Sequence, residues 1–449
     1  MTTTSVFPAT FHGDVLQPNA PGYDEARKVW NAMIDRRPAF IARCKSVSDV
    51  QTALRFAKQN GLLTAIRGGG HNAAGLGVCD DGIVIDLGGL RDVLIDPARR
   101  VARAGGGATW ADFDRATAGF GYATTGGLIS STGIAGLTLG GGLGWLMRSC
   151  GLACDNLVGA EMVTADAQIV RASDAENADL FWALRGGGGN FGVVTSFEFK
   201  LHSVATIFGG MLLYPLSKAR DLLRLYRDVT RSAPDKLTVF AAMMHAPDGT
   251  PVVAFALCYN GPADEGERAI AAIRSFATPV AGEVGPMPYS ALQGMLDGGF
   301  PSGLQVHWRS EFINTISDDF IEGAVSAFER VPSPLSAMLL EQFGGAVSRV
   351  PRDATAFDQR DSEYNLVIVS RWTEAAERDK NVKWARETSD MAAAYTNGRV
   401  YVNYIGAGES PDRVRAAFGE EKFARLSAIK RKYDPTNMFR MNQNIPPAA

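Results

Sequence analysis

A histidine closing a run of glycines is the feature of this sequence best placed to do chemistry: Arg67-Gly68-Gly69-Gly70-His71-Asn72. A neutral imidazole is a nucleophile, and successive backbone N–H groups in a glycine loop form a concavity that binds anions. Three more runs, Gly105–Gly107, Gly140–Gly142 and Gly186–Gly189, repeat the loop chemistry. One such run alone reads as a tight turn. Four in one chain point to a large ligand that carries phosphates. The 49 glycines among 449 residues exceed the usual share of about 7%, and they cluster, as close approach of backbone to a ligand requires.

Other chemistries lack their residues. The pattern G-x-G-x-x-G occurs as Gly187, Gly189 and Gly192, but it follows a helix and precedes a strand, the reverse of what a dinucleotide-binding turn needs. There is no G-x-x-x-x-G-K-[ST], no H-E-x-x-H and no G-x-S-x-G. Ser427-Ala428-Ile429-Lys430 matches S-x-x-K without the rest of a lactamase-like site and reads as a surface helix turn. Cys150 and Cys154 form a lone pair, short of the three or four ligands zinc takes, so no metal site is expected. The five cysteines are scattered and suggest no disulfide framework, which makes a reducing cytoplasm the expected location. A net charge of -3 gives no reason to expect nucleic acid or an anionic membrane as partner. Met1 to Asp14 lacks the pattern of a secretory signal, and no stretch approaches the roughly 20 apolar residues of a membrane span.

The elements that must position these loops follow from apolar spacing. Phe40–Arg43, Leu62–Ile66, Gly82–Leu87 and Arg100–Ala104 read as strands, with helices over Ser48–Asn60 and Thr109–Ala118. Leu157–Val163 and Gln168–Ala172 read as a hairpin, Asp179–Arg185 as a short helix, and Val193–Leu201 as an alternating strand. After His202 the texture changes. Helices Ser217–Ser232 and Asp264–Phe276 alternate with strands Leu237–Met244, Pro251–Tyr259 and Tyr364–Trp372, which predicts an antiparallel sheet with helices on one side. A strand at Val400–Ile405 and a helix near Phe423–Tyr433 close the chain. The expected fold class is α+β in two domains: residues 1–203 with 400–449, and residues 204–399 as a sheet roofing a substrate pocket.

The run Arg67–Asn72 resembles the start of the FAD site in the vanillyl-alcohol-oxidase/PCMH flavoprotein superfamily, and specifically its berberine-bridge-enzyme-like branch. Ser131–Gly142, Gly151–Asn156, Leu180–Gly188 and Asn190–Thr195 continue the likeness, and Tyr401–Tyr404 and Phe439–Pro446 resemble the family's closing segments. The resemblance covers nearly the whole chain in order. It implies FAD as cofactor, with the amides of Gly68, Gly69 and Gly70 at the pyrophosphate, His71 bonded to the flavin 8α carbon, and Arg67, Asn72 and Gly142 among the cofactor-binding residues. Thr132, Gly133 and Gly136 would line the phosphate and ribitol, Val193 and Val194 the adenine side, and Asn442 and Asn444 the isoalloxazine ring. Relatives with a second flavin linkage carry a cysteine near the position of Ile129, where this chain has Leu128, Ile129 and Ser130, so single attachment through His71 is implied. Ile134 falls at about the position that gates oxygen in relatives.

What the resemblance implies for the reaction is hydride transfer from a small alcohol or amine to flavin N5, and then passage of electrons to O2 with release of hydrogen peroxide. A flavin dehydrogenase using another acceptor and a redox-silent flavin-binding protein stand as alternatives. Tyr404 matches the tyrosine that serves as base in relatives. A phenol titrates near about 10, so at neutral pH it needs a positive charge or a hydrogen-bond donor beside it; otherwise it shapes the pocket only. His245, His307 and Glu341 fall in the substrate domain and could point into the cleft, although a structural role is the more usual one for each. The substrate itself (sugar, alkaloid amine or alcohol) and the oligomeric state are not legible.

Overall fold

Glycine loops hold a shape only when rigid elements anchor both ends, and three sheets do this here. The computed structural model describes residues 7–449. A four-stranded sheet runs in the order Asp14–Leu16, Phe40–Arg43, Ile83–Asp86, Thr64–Arg67, with the last three strands parallel. Its central strand reads Ile83-Val84-Ile85 and is wholly buried, as a parallel strand covered on both faces must be. Helix Val47–Gln59 packs Val50, Leu54 and Ala57 against this sheet, and the Ser46 side chain caps it by accepting from the Asp49 amide. The strand Thr64–Arg67 then releases the chain directly into Gly68–Gly70.

A five-stranded antiparallel sheet follows, in the order Val93–Asp96, Val101–Gly105, Val193–Lys200, Leu157–Val163, Ile169–Ala172. Phe197 and Phe199 leave one face of its central strand and enter a core with Trp110 and Phe113 of helix Trp110–Ala118. That helix starts in a capping box of Thr109 and Asp112.

The third sheet has seven antiparallel strands, in the order Ala281–Pro288, Thr206–Pro215, Pro251–Tyr259, Leu237–His245, Ala337–Gln342, Tyr364–Trp372, Gln305–Ile313. Alternation sorts its side chains between two destinations. Val239, Ala241, Phe255, Leu257, Leu340 and Ile368 enter one core with helices Ala219–Arg231, Asp318–Phe328 and Arg378–Ala392. Phe240, Ala256 and Cys258 point the other way and pack on Trp145, Leu146 and Met147 from the glycine-rich half of the chain. Trp145 stacks on Phe240 with ring centroids 5.2 Å apart.

Three expectations are corrected. Val400–Ile405 is no strand: the chain leaves the sheet edge after Arg399 and turns as a 3₁₀ segment, Val402–Tyr404. Side chains override its apolar pattern, since the Tyr401 hydroxyl accepts from the Gly142 amide at 2.8 Å and the Asn403 amide nitrogen donates to the Leu137 carbonyl at 3.0 Å. The helix expected over Asp264–Phe276 breaks at Ile270 into Ala263–Ala269 and Ala271–Phe276. Lys430 is no surface residue. It is fully buried in helix Glu420–Tyr433, paired with Asp434 at 2.7 Å, and donates to the carbonyls of Asn190 and Phe439. That lysine ties the last helix to the Gly186–Gly189 loop and to the closing segment.

Candidate functional site

One cavity lies between the glycine loops and the inner face of the seven-stranded sheet. Arg67, Gly68, Gly69, Gly70, His71, Asn72, Thr132, Gly133, Gly136, Val194, Asn442 and Tyr404 all line it, although they come from five separate stretches of sequence. Gly142, Val193 and Asn444 do not. Gly142 instead donates its amide to Tyr401, and Val193 packs in the core under the four-stranded sheet. Ile134, the expected oxygen gate, is also inside a core, whereas Leu128 and Ile129 do line the cavity. Cys150 and Cys154 do not reach it, and all five cysteines are free.

Of the four glycine runs, two face the cavity. Gly105 and Gly107 are pressed against the carbonyls of Leu90 and Leu87, and Gly140 against Asn403, so those two runs serve backbone packing. Gly69 is also closely approached: a Cβ there would overlap the Gly133 nitrogen, so the loops carrying Gly69 and Gly133 meet backbone to backbone. Gly70 adopts φ +69°, which a side chain disfavours. Gly136 and Gly189 are different. No protein atom lies within 4 Å of a Cβ built at either, and neither has a positive φ. Gly136 moreover sits inside helix Ile134–Leu139, where glycine is about 1 kcal/mol worse than alanine. Protein packing gives no reason for these glycines; a ligand lying against them does. Asn442, on the cavity wall, and nearby Asn444 each bury a carbonyl oxygen without a partner, at a penalty of about 1–3 kcal/mol apiece unless a ligand donates to it. Amide-lined loops, room beside glycine and orphaned acceptors together fit FAD. Among the described residues no cluster of side chains is suited to a metal ion.

His71 is held on three sides. Its Nε2 lies 2.9 Å from Ser131 Oγ, its Nδ1 3.4 Å from Thr132 Oγ1, and its ring stacks on Trp30 at 5.1 Å and 19°. Burial pushes its pKa down to about 4, so the imidazole is neutral at physiological pH and keeps a nucleophilic lone pair.

Opposite, the sheet places one acid over the cavity. Met338 and Leu340 enter the helix-backed core, so the register turns Leu339 and Glu341 to the cavity, beside Val367 and Val369 of the neighbouring strand. Glu341 is 1% exposed. Its Oε1 accepts from the Tyr404 hydroxyl at 2.9 Å and its Oε2 from the Asn365 amide at 2.8 Å, Asn365 being its cross-strand partner. Burial raises the carboxyl to about 7, against the hydrogen bonds from Asn365 and Tyr404. The same burial, with the Glu341 charge beside it, lifts the Tyr404 phenol well above its usual value. The positive charge that a tyrosine base needs is therefore missing, and the group that titrates near neutrality is the carboxylate. His307 and His245 take no part: His307 is buried behind the sheet and pushed to about 4 by burial, and His245 packs on Phe328.

Trp30, Leu296, Phe300 and Trp308 were invisible to sequence reasoning. Trp30 meets Trp308 edge-on at 5.5 Å and donates to the Phe300 carbonyl at 3.3 Å, so it links the His71 loop to the sheet. No periodicity marks any of the four.

Comparison with known proteins agrees with this geometry. The FAD binding domain family matches residues 38–173, and the berberine and berberine-like family matches residues 400–446. An FAD-linked oxidoreductase of Dictyostelium discoideum is 31% identical over 98% of this chain and 96% of its own length. The (R)-6-hydroxynicotine oxidase of Paenarthrobacter nicotinovorans is 32% identical over 100% of this chain and 99% of its own. The crystal structure of 6-hydroxy-D-nicotine oxidase from Arthrobacter nicotinovorans superposes with TM-score 0.90 at 31% identity, covering 98% of this chain and 99% of that one. A berberine-bridge-enzyme-like protein of Physcomitrella patens has the same fold, with TM-score 0.90 at 24% identity over 98% of each chain. The α+β fold is thus the PCMH-type flavoprotein fold with an antiparallel substrate sheet, and the chain belongs to the berberine-bridge-enzyme-like family of FAD-linked oxidoreductases.

Proposed function

We propose that this oxidoreductase holds FAD covalently through His71, oxidises a small alcohol or amine, and passes the electrons to O2, with Glu341 taking the substrate proton. One observation carries the reading: His71 with its glycine loops and the Tyr404–Glu341–Asn365 chain face the same cavity from opposite walls. Bound FAD supplies an acceptor for two electrons and one hydrogen. The protein's share is to bind, to orient and to move a proton. The amides of Gly68–Gly70 and Gly133 hold the pyrophosphate, and neutral His71 is aimed by Ser131 and stacked by Trp30 for attachment. Glu341 takes the proton of the substrate OH or NH on a carboxylate oxygen, directly or as Tyr404 passes its own hydroxyl proton to Oε1 and accepts the substrate's. A positioned base of this kind contributes about 10²- to 10⁴-fold. Residues 1–203 with 400–449 form the FAD-binding domain in this proposal and residues 204–399 the substrate domain. No described helix is long and apolar enough to cross a membrane, and a cytoplasmic location is the proposed one.

Two measurements test it. Acid-precipitated protein is expected to stay yellow, with an intact mass one FAD above the chain, and His71→Ala to release its flavin on denaturation; free FAD in the wild-type supernatant removes the covalent link. Anaerobic mixing with substrate is expected to bleach the flavin, and air to restore it with release of peroxide. Bleaching without restoration by air assigns another electron acceptor, and no bleaching by any amine, alcohol or sugar leaves a flavin-binding protein.

A further inference from the structure

Resting on the reading of this cavity as the substrate site, we infer that its ligand is an apolar molecule carrying a cationic amine, not a sugar and not an anion. Two observations carry the inference. The first is the composition of the sheet wall. Trp308, Leu339, Val367 and Val369 line it, Leu296 and Phe300 adjoin it from the segment before strand Gln305–Ile313, and Glu341 is the single charged residue among them. The Asn403 amide nitrogen nearby is already committed to Leu137 and Tyr401. A sugar brings a hydroxyl on nearly every carbon, and each one buried without a partner is penalised by about 1–3 kcal/mol.

The second is charge. Glu341 is buried, and its contacts, Tyr404 and Asn365, are neutral; Tyr401 and Tyr226 are the other titratable groups near it. Arg67, the other charged side chain on the cavity wall besides Glu341, is spent on Asp86 at 2.8 Å, and His71 is neutral. A buried carboxylate without a cation is strongly destabilised, and a protonated amine on the ligand supplies the missing charge. An anionic ligand would face that carboxylate with no compensating cation. The reaction balances accordingly. The ammonium gives one proton to Glu341, restoring the nitrogen lone pair. Bound flavin would supply the acceptor for the hydrogen and electron pair of the adjacent C–H bond, whose loss leaves a C=N bond in the ligand.

The test uses the flavin-loaded protein, with ligand binding read from the shift in flavin absorbance at about pH 8, where Glu341 is ionised. The probes are benzyltrimethylammonium, which has no proton to lose from nitrogen, benzyl alcohol and xylobiose. The cation is expected to bind about tenfold or more tighter than the alcohol, equivalent to about 1.4 kcal/mol, and xylobiose not to register. The preference is expected to vanish in Glu341→Gln, and in the wild type to fade as pH drops through about 7. The wild-type titration decides even where the variant loses its flavin. Equal binding of cation and alcohol, tighter binding of xylobiose, or a cation preference indifferent to pH overturns the inference. Flavin bleaching by an alcohol without cation preference would overturn it while leaving the oxidase reading intact. Cation preference with no bleaching by any amine would do the opposite.

Discussion

The two walls of the cavity are built by different physical means. On one side, irregular loops present backbone amides, and glycine is required because the loops carrying Gly69 and Gly133 meet without room for a Cβ. On the other, a regular sheet presents side chains, and its backbone hydrogen bonds are complete whichever residue occupies an inward position. A wall of backbone amides suits a ligand with phosphates and tolerates little change. A wall of side chains can exchange Leu339, Val367 or Trp308 without disturbing the ladder. Under the proposed function, the difference divides the properties of the enzyme: cofactor choice falls to the loops, and substrate choice and proton transfer to the sheet.

Breaking the loop wall has the largest expected effect. Gly69→Ala forces a methyl group into the Gly133 backbone, which cannot step aside without moving the loop that leads into helix Ile134–Leu139. Complete loss of flavin from the purified protein is expected, read as the ratio of flavin to protein absorbance. A fully yellow Gly69→Ala protein would mean that the loops adapt, and the contrast between the walls would fail.

Breaking the sheet wall should spare the cofactor and stop the chemistry. Glu341→Gln keeps the size and the Asn365 contact but removes the base, so anaerobic flavin reduction is expected to slow by about 10²-fold or more with flavin content unchanged. The wild-type rate is expected to rise as pH climbs through about 7, because the carboxyl must be ionised to accept a proton, and the variant to show no such rise. Tyr404→Phe sharpens the assignment. Its hydroxyl donates to Glu341 and thereby lowers the carboxyl's pKa, so losing it should move the midpoint of the pH profile upward and slow the plateau rate by about tenfold or less. A Tyr404→Phe loss as large as that of Glu341→Gln would make Tyr404 an obligatory relay.

The contrast between the walls also explains what the sequence made legible. Loop walls advertise themselves, because backbone close approach demands glycine and glycine runs are visible in a single sequence; such a run points to His71, and the family resemblance to Gly133, Gly136 and Asn442, all of which line the cavity. Not every run is a cradle: Gly140–Gly142 packs on Asn403 and Tyr401 and stays off the cavity wall. Sheet walls are silent. Ala337-Met338-Leu339-Leu340-Glu341-Gln342 is apolar on both faces, one toward helices and one toward the cavity, so alternation could not assign Glu341 to either. Only the cross-strand register with Asn365 and the arrival of Tyr404 from 63 residues further along made it a base candidate.

The smallest effect is also the finest test of the loop wall. Gly136 lies in the interior of helix Ile134–Leu139 with no protein atom near a Cβ, so Gly136→Ala has nothing to clash with in the free protein. Alanine is better in a helix than glycine, and the flavin-free variant is expected to gain up to about 1 kcal/mol in stability, measured by denaturant unfolding. The same methyl group would stand in open space on a residue that lines the cavity, so flavin retention is expected to fall while the fold becomes stronger. Opposite signs in the two measurements would show that this glycine is kept for the ligand and not for the helix. Unchanged flavin content would show the space beside Gly136 to be empty in the loaded enzyme. Gly69, by contrast, would still be explained by packing alone, and the separation between glycines that shape the wall and glycines that make room for the cofactor would rest on Gly189.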